Sequence, residues 1–241
     1  MKVLDYQWLS EKGLNLQALL DLDSIPTDIY QTLKSPTYEL ADYQQILIIG
    51  HAGRLLWQRL QQAVSSQALN PWCHQHPIDE YSHQMLERFL NNHQVEDFQL
   101  IYPGGTFSGL QQLGKVIGWH HSAPFRIGIN QQWGSWFAYR AVALMKGRYD
   151  KKGSTIMPSQ NHSPCDTCET KICIQACPAN ALQNDALDLT RCLTYRQQPD
   201  SLCADRCIAR MSCPVAPEHQ YDISQINYHY IQSLRFIRQH D

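Results

Sequence analysis

Eight of the nine cysteines in this chain fall between residues 165 and 213. Thiols crowded in this way constrain the fold more than any other feature. The first four read Cys165-x2-Cys168-x4-Cys173-x3-Cys177-Pro178. This is close to the C-x2-C-x2-C-x3-C-P run that wraps a cubane iron-sulfur cluster, in which the fourth cysteine, before proline, reaches across to a second cluster. A second set follows: Cys192, then Cys203-x3-Cys207-x5-Cys213-Pro214. Its spacing is looser, but it also closes on Cys-Pro. Eight thiolates suffice for two 4Fe-4S clusters. A swapped arrangement would group Cys165, Cys168, Cys173 and Cys213 on one, and Cys192, Cys203, Cys207 and Cys177 on the other.

Two other uses of eight cysteines compete. Paired zinc sites favour short hooks, and only Cys165-x2-Cys168 is a tight pair. A disulfide framework is typical of short secreted chains, whereas Met1-Lys2-Val3-Leu4-Asp5 carries no apolar signal-peptide core and the chain has 241 residues. Free thiols and oxygen-sensitive clusters indicate a soluble protein of the reducing cytoplasm.

At 241 residues the chain can hold one larger and one smaller unit. A net charge of -2 with only 20 Lys plus Arg disfavours a nucleic-acid surface, which needs clustered cations to release counterions. No apolar stretch approaches the roughly 20 residues that span a bilayer.

The periodicity places an α+β domain over 1–145. Helix and turn signals mark residues 1–44, notably Leu16 to Leu22. Ile46-Leu47-Ile48-Ile49 reads as a strand buried on both faces. Helices are expected over 54–63, 79–89 and 107–117, and strands over 98–102, 124–129 and 136–145. Residues 146–164, rich in Gly, Lys, Pro and Ser, read as a linker. The cysteine region then runs over 165–217. Residues 218–241 form a C-terminal helix begun by Asp222 with Gln225 three positions on, a capping-box-like start, expected to pack back on the body.

The segments Cys177-Pro178-Ala179-Asn180-Ala181-Leu182 and Thr190-Arg191-Cys192-Leu193-Thr194-Tyr195 resemble the cluster domain of epoxyqueuosine reductase, a cobalamin-dependent enzyme with two 4Fe-4S clusters. Leu113 to Trp119 and Gln132 to Phe137 resemble that enzyme's cobalamin-binding half. In addition, Gly134 to Leu144 is similar to a strand of the cobalamin-trafficking chaperone that removes upper-axial groups from cobalamin. These resemblances imply a flavin-reductase-like or nitroreductase-like α+β scaffold followed by a ferredoxin-like 4Fe-4S domain. One departure stands out. The reductases carry an Asp-Ser-Ala-Pro-like stretch whose Asp is the proposed proton donor. Here the corresponding residues are Tyr102-Pro103-Gly104-Gly105, with no carboxylate.

The candidate contacts to a second cofactor are Trp119, His120, Trp133, Trp136 and Arg140. Trp133 and Trp136 flank Gly134 and could wall a tetrapyrrole or an isoalloxazine, or serve as ordinary core aromatics. The His120-His121 pair could ligate a cofactor or lie at the surface. Arg140, inside an apolar strand, requires a carboxylate partner or an anionic ligand, and the chaperone resemblance implies the ligand. Cys73 with His74 and His76 shows one arm of a metal site and nothing to complete it. Gly50-His51-Ala52-Gly53 matches neither nucleotide fingerprint.

The function expected from these features is an iron-sulfur oxidoreductase that passes single electrons from two 4Fe-4S clusters to a bound corrinoid. Cobalamin is the expected cofactor, FMN a less favoured one, and a ferredoxin or flavodoxin the expected donor. The alternatives are a ferredoxin-like carrier without a second cofactor, and an epoxyqueuosine-reductase-like enzyme acting on another substrate. No catalytic residue can be named.

Overall fold

The computed structural model describes residues 2–66, 76–95, 97–104, 107–153, 155–156, 162–183 and 186–240. Cys73, His74 and Gly105 lie outside the described residues. In chain order the elements begin with β1 (Lys2–Asp5), α1 (Gln7–Glu11), β2 (Leu16–Asp21), α2 (Thr27–Thr32), β3 (Gln45–Ala52), α3 (Leu55–Ser65), α4 (Pro77–Asn92), β4 (Phe98–Tyr102) and α5 (Leu110–Val116). They continue with β5 (His121–Ser122), β6 (Gly128–Ile129), β7 (Phe137–Met145), β8 (Tyr149–Lys152), α6 (Ile172–Gln175), β9 (Leu182–Gln183), β10 (Ala186–Leu187), α7 (Leu189–Gln197), α8 (Ile208–Met211) and α9 (Ile223–His240).

These elements pack as two compact units, Met1–Trp119 with Phe137–Ser159, and His120–Trp136 with Gln160–Asp241. The expected first block ran unbroken to residue 145, whereas residues 120–136 group with the cysteine region. Ala123, Phe125 and Ile129 are the reason: they are buried in one apolar cluster with Cys173, Leu182, Ala209 and Cys213.

The first unit is built on a four-stranded sheet of order β2-β3-β7-β4, antiparallel throughout. All eight residues of β3 are buried, which accounts for the uninterrupted apolar run around Ile46–Ile49. Leu16 to Leu22, expected to give a helix signal, forms β2 instead. Its Leu and Ala residues favour helix in isolation, but pairing from Leu16↔Gly50 to Asp21↔Gln45 buries its first four positions, and tertiary pairing outweighs a weak propensity.

Helix α4 opens with Pro77 at its first turn and buries Ile78, Tyr81, Met85 and Phe89 at three- to four-residue spacing, packing on β7. Asp79 thereby falls in the exposed part of the first turn. The expected linker also contains structure, because β8 pairs in parallel with β1, register Lys2↔Tyr149 to Asp5↔Lys152.

The second unit has only short elements before α9. The expected strand over 124–129 is reduced to Gly128–Ile129, paired with His121–Ser122. Pro124 has no N–H to give a ladder, and Arg126 has a left-handed φ of 60°. Helix α7 packs on α9 and α6 on α8. Gly134, at φ 58°, sits so close to Val215 that a Cβ would lie 2.2 Å from the Val215 carbonyl oxygen, so the turn at 133–136 admits only glycine there.

Candidate cysteine sites and buried arginines

The eight described cysteines are all free thiols, and they sort into two groups within the second unit. Cys177, Cys192, Cys203 and Cys207 line one cavity of about 190 Å³. Its other walls are mainly apolar, including Phe125, Ile127, Leu182 and Leu193. Within this group burial raises Cys192 and Cys203, and the charges of Cys207 and Cys177 raise both further.

The second group is Cys165, Cys168, Cys173 and Cys213. Burial pushes the Cys173 thiol up to about 11, with further contributions from Cys213, Cys165 and Cys168. Cys165 is raised by burial and by Cys213 and Cys168, and Cys213 by burial and Cys168. Each group thus takes one cysteine from the opposite end of the sequence: Cys213 joins the first hook, and Cys177 joins the later set. Among the described residues no three Cys, His, Asp or Glu side chains converge as a single metal ion would require.

Local structure explains these positions. Asp188 caps α7 by accepting from the Arg191 amide at 2.9 Å. The cap starts the helix so that Cys192 and Arg196, four residues apart, share a face. Cys207 precedes α8, and its sulfur accepts from the Arg210 amide at 3.4 Å. The Cys203 amide donates to Ser201 Oγ at 3.1 Å, and the Cys165 amide to Ser163 Oγ at 3.2 Å. These turn hydroxyls hold the loops from which the sulfurs project.

Two buried arginines stand beside the thiols. Arg196 donates to the Cys203 carbonyl (3.2 Å), Ser233 Oγ (3.2 Å) and the Tyr230 carbonyl (3.0 Å), and its guanidinium lies 5.2 Å from the Tyr230 ring centre. Arg210 donates to Ser135 Oγ and the Ser135 carbonyl and lies over Trp136 at 4.3 Å and Tyr221 at 5.3 Å. Tyr230 lines the cavity with Cys207. Burial raises Cys207, and the Arg210 amide, the Arg210 charge and Tyr230 oppose the rise. Sequence reading missed Arg196, Arg210 and Tyr230. The available signal was an arginine four residues after Cys192 and another three after Cys207.

The residues expected to contact a second cofactor divide between the units. In the first, Trp119 is buried, donates to the Thr155 carbonyl at 2.9 Å and stacks on Tyr139. Arg140 occupies a β-bulge: Ile49 pairs with Ala141 and Gly50 with Tyr139, leaving Arg140 as the extra residue on β7. Its Nε donates to His51 Nδ1 at 3.0 Å, and its terminal nitrogen is 4.0 Å from Asp79, whose side chain is 38% exposed. Tyr102 is near enough to feel both charges, although burial dominates and raises its pKa. A carboxylate partner for Arg140 is therefore present, the alternative to the anionic ligand that the resemblance implied.

In the second unit His120, Trp133 and Trp136 are all buried. The Trp133 amide donates to Asn130 Oδ1 at 2.8 Å, and Trp136 packs edge-on against Tyr221 as well as under Arg210.

No helix among the described residues is long and apolar enough to cross a membrane. No family model matches the chain, and no curated protein is significantly similar to it. Among solved structures, an epoxyqueuosine reductase crystallised with a tRNA-Tyr epoxyqueuosine-modified stem loop is similar with a TM-score of 0.52 at 13% identity, over 92% of this chain and 66% of that one. The C. elegans B12-trafficking protein CblC, a homologue of human MMACHC, is similar with a TM-score of 0.54 at 12% identity, over 93% of this chain and 88% of that one. The chain thus spans just under two thirds of the reductase's length. These likenesses show a shared mixed α/β fold, in the two families that the short motifs resemble.

Proposed function

We propose that this protein is an iron-sulfur oxidoreductase. Cys165, Cys168, Cys173 and Cys213 would hold one 4Fe-4S cluster, and Cys177, Cys192, Cys203 and Cys207 a second, and single electrons would pass to a bound corrinoid. The sorting of eight thiols into two interlocked groups of four carries the reading. The fit is chemical as well as numerical: thiol donors, a mainly apolar cavity, and buried cations beside it. Held by four thiolates, such a cluster takes up and returns one electron at a time at a potential set by charge, hydrogen bonding and burial. The chain's own part is to hold the sulfurs, shield them with Phe125, Ile127 and Leu182, and place Arg196, Arg210 and Tyr230 against them.

The corrinoid part rests on the two fold neighbours, one of which traffics B12. Of the five assigned contacts, Trp119, His120, Trp133 and Trp136 are buried. The group of Arg140 with His51, Asp79 and Tyr102, opening through Asp79, is the best placed to meet a polar edge of the ligand. A net charge of -2 favours a small molecule over tRNA, and a modified stem loop is the counter-test, since the reductase neighbour binds one.

Anaerobic reconstitution should give about eight iron and eight sulfide per chain, and hydroxocobalamin should then bind with a change in its visible spectrum. Clusters without binding of cobalamin or FMN would favour the electron-carrier reading. Turnover of an epoxyqueuosine stem loop would favour the reductase reading.

A further inference from the structure

A buried charge without a counter-charge is costly, and most buried arginines have a carboxylate. Arg196 and Arg210 are each only 7% exposed. Among the described residues neither forms an ion pair with a carboxylate; their partners are carbonyls, hydroxyls and aromatic rings. Arg206, which lines the same cavity, is a useful contrast: it is paired with Asp205 at 2.7 and 2.9 Å and is partly exposed. The two buried cations are also unevenly shared. Arg196 lines the cavity of Cys177, Cys192, Cys203 and Cys207 and donates to the Cys203 carbonyl, whereas Arg210 acts on one thiol of each group, Cys207 and Cys213. That other group has the Asp166 carboxylate beside Cys165 instead.

We infer that Arg196, with Tyr230 lining the same cavity, is a positioning residue that makes the Cys177/Cys192/Cys203/Cys207 site the more easily reduced of the two, so that electrons entering the unit come to rest there. The inference rests on the cluster assignment proposed above. Adding one electron from a donor raises the negative charge of the occupied site by one, and a nearby buried cation stabilises the reduced form over the oxidised one. Tyr230 lines the same cavity, and its hydroxyl opposes the rise of the Cys207 thiol, which favours negative charge on that sulfur. Helix α9 supplies both Tyr230 and Ser233, so the C-terminal helix has a role in setting the potential.

The test is a dithionite titration of the anaerobically reconstituted full chain, followed by electron paramagnetic resonance. Cys168→Ser identifies the two signals, because the one it leaves intact belongs to the Cys177 site. In the parent protein that signal should appear at the higher potential. Arg196→Gln should make reduction at that site at least tenfold less favourable, about 59 mV for a one-electron couple, and leave the other signal in place. Arg196→Lys should restore most of the potential, and Tyr230→Phe, which keeps the packing, should give a smaller shift in the same direction. A chain that binds iron at both sites but reduces the Cys168 site first, or whose Cys177-site signal does not move in Arg196→Gln and Tyr230→Phe, would overturn the inference alone. Failure to bind iron would instead overturn the cluster assignment itself.

Discussion

The two units bury the same cation in different ways. In the first, Arg140 leaves the ladder at a bulge and finds a histidine and a carboxylate within its own unit. In the second, Arg196 and Arg210 are packed among carbonyls, hydroxyls and rings beside eight thiols, with no carboxylate partner among the described residues. The first unit is a hydrophobic sheet domain that completes its own electrostatics. The second has short elements and a core that includes Cys173 and Cys213, with Arg196 and Arg210 buried beside it.

The strongest way to break this contrast is to remove one crossing ligand. Cys177→Ser should abolish the site shared with Cys192, Cys203 and Cys207, leaving about four iron of eight, as measured by iron analysis after reconstitution. Loss confined to the Cys165 group would show that no exchange of ligands occurs. The stability of the first unit, followed by denaturant unfolding, should change little.

A smaller effect is expected at the 133–136 turn. Gly134→Ala meets both a left-handed φ and the Val215 carbonyl, and should cost about 2–4 kcal/mol in urea unfolding of the second unit. Gly153→Ala in the first unit shares a positive φ but meets open space, and should cost about 1 kcal/mol. Equal costs would remove the close approach at Gly134 from the account.

Asp79→Asn tests the paired arginine. Because the Asp79 side chain is 38% exposed and the separation is 4.0 Å, water screens much of the interaction, and the loss should be about 1 kcal/mol rather than the larger penalty of a fully buried pair. A loss of several kcal/mol would mean that Arg140 is as dependent on its carboxylate as a sealed ion pair.

The smallest effect concerns the β1–β8 edge. The hydrogen bond from Lys152 at 2.9 Å holds the Asp5 carboxyl below its ordinary 3.8. A depressed carboxyl stabilises the fold above its unfolded value and loses that contribution as pH falls through the folded one. Lys152→Ala should therefore leave unfolding below that window unchanged and slightly weaken the fold above it, detectable only as a small shift of the acid limb. A shift of the neutral-pH midpoint comparable to that of Asp79→Asn would show the edge pair to be stronger than its exposure suggests.

Much of this was legible from local pattern. The apolar run at Ile46–Ile49, the helix around Tyr81, Met85 and Phe89, the strand at Phe98–Tyr102 and the final amphipathic helix all appear where periodicity places them. Leu16 to Leu22 reads as a turn and helix signal because its Leu and Ala residues favour helix in isolation, and only the pairing of Leu16–Asp21 with β3 decides otherwise. Residues 124–129 were misread as a strand because their apolar pattern hides a proline and a left-handed arginine.

By itself the sequence determined the number, kind and order of the thiols, because ligand identity is a property of residue type and close spacing. Tertiary structure decided which four share a cavity, that residues 120–136 pack with them, that a bulge turns Arg140 onto His51 and Asp79, and that Arg196 and Arg210 are buried with no carboxylate partner among the described residues. The physical reason is that burial and charge compensation depend on groups far apart in the chain. Arg210 meets Ser135 and Trp136 some 75 residues away, and no local periodicity records such a meeting.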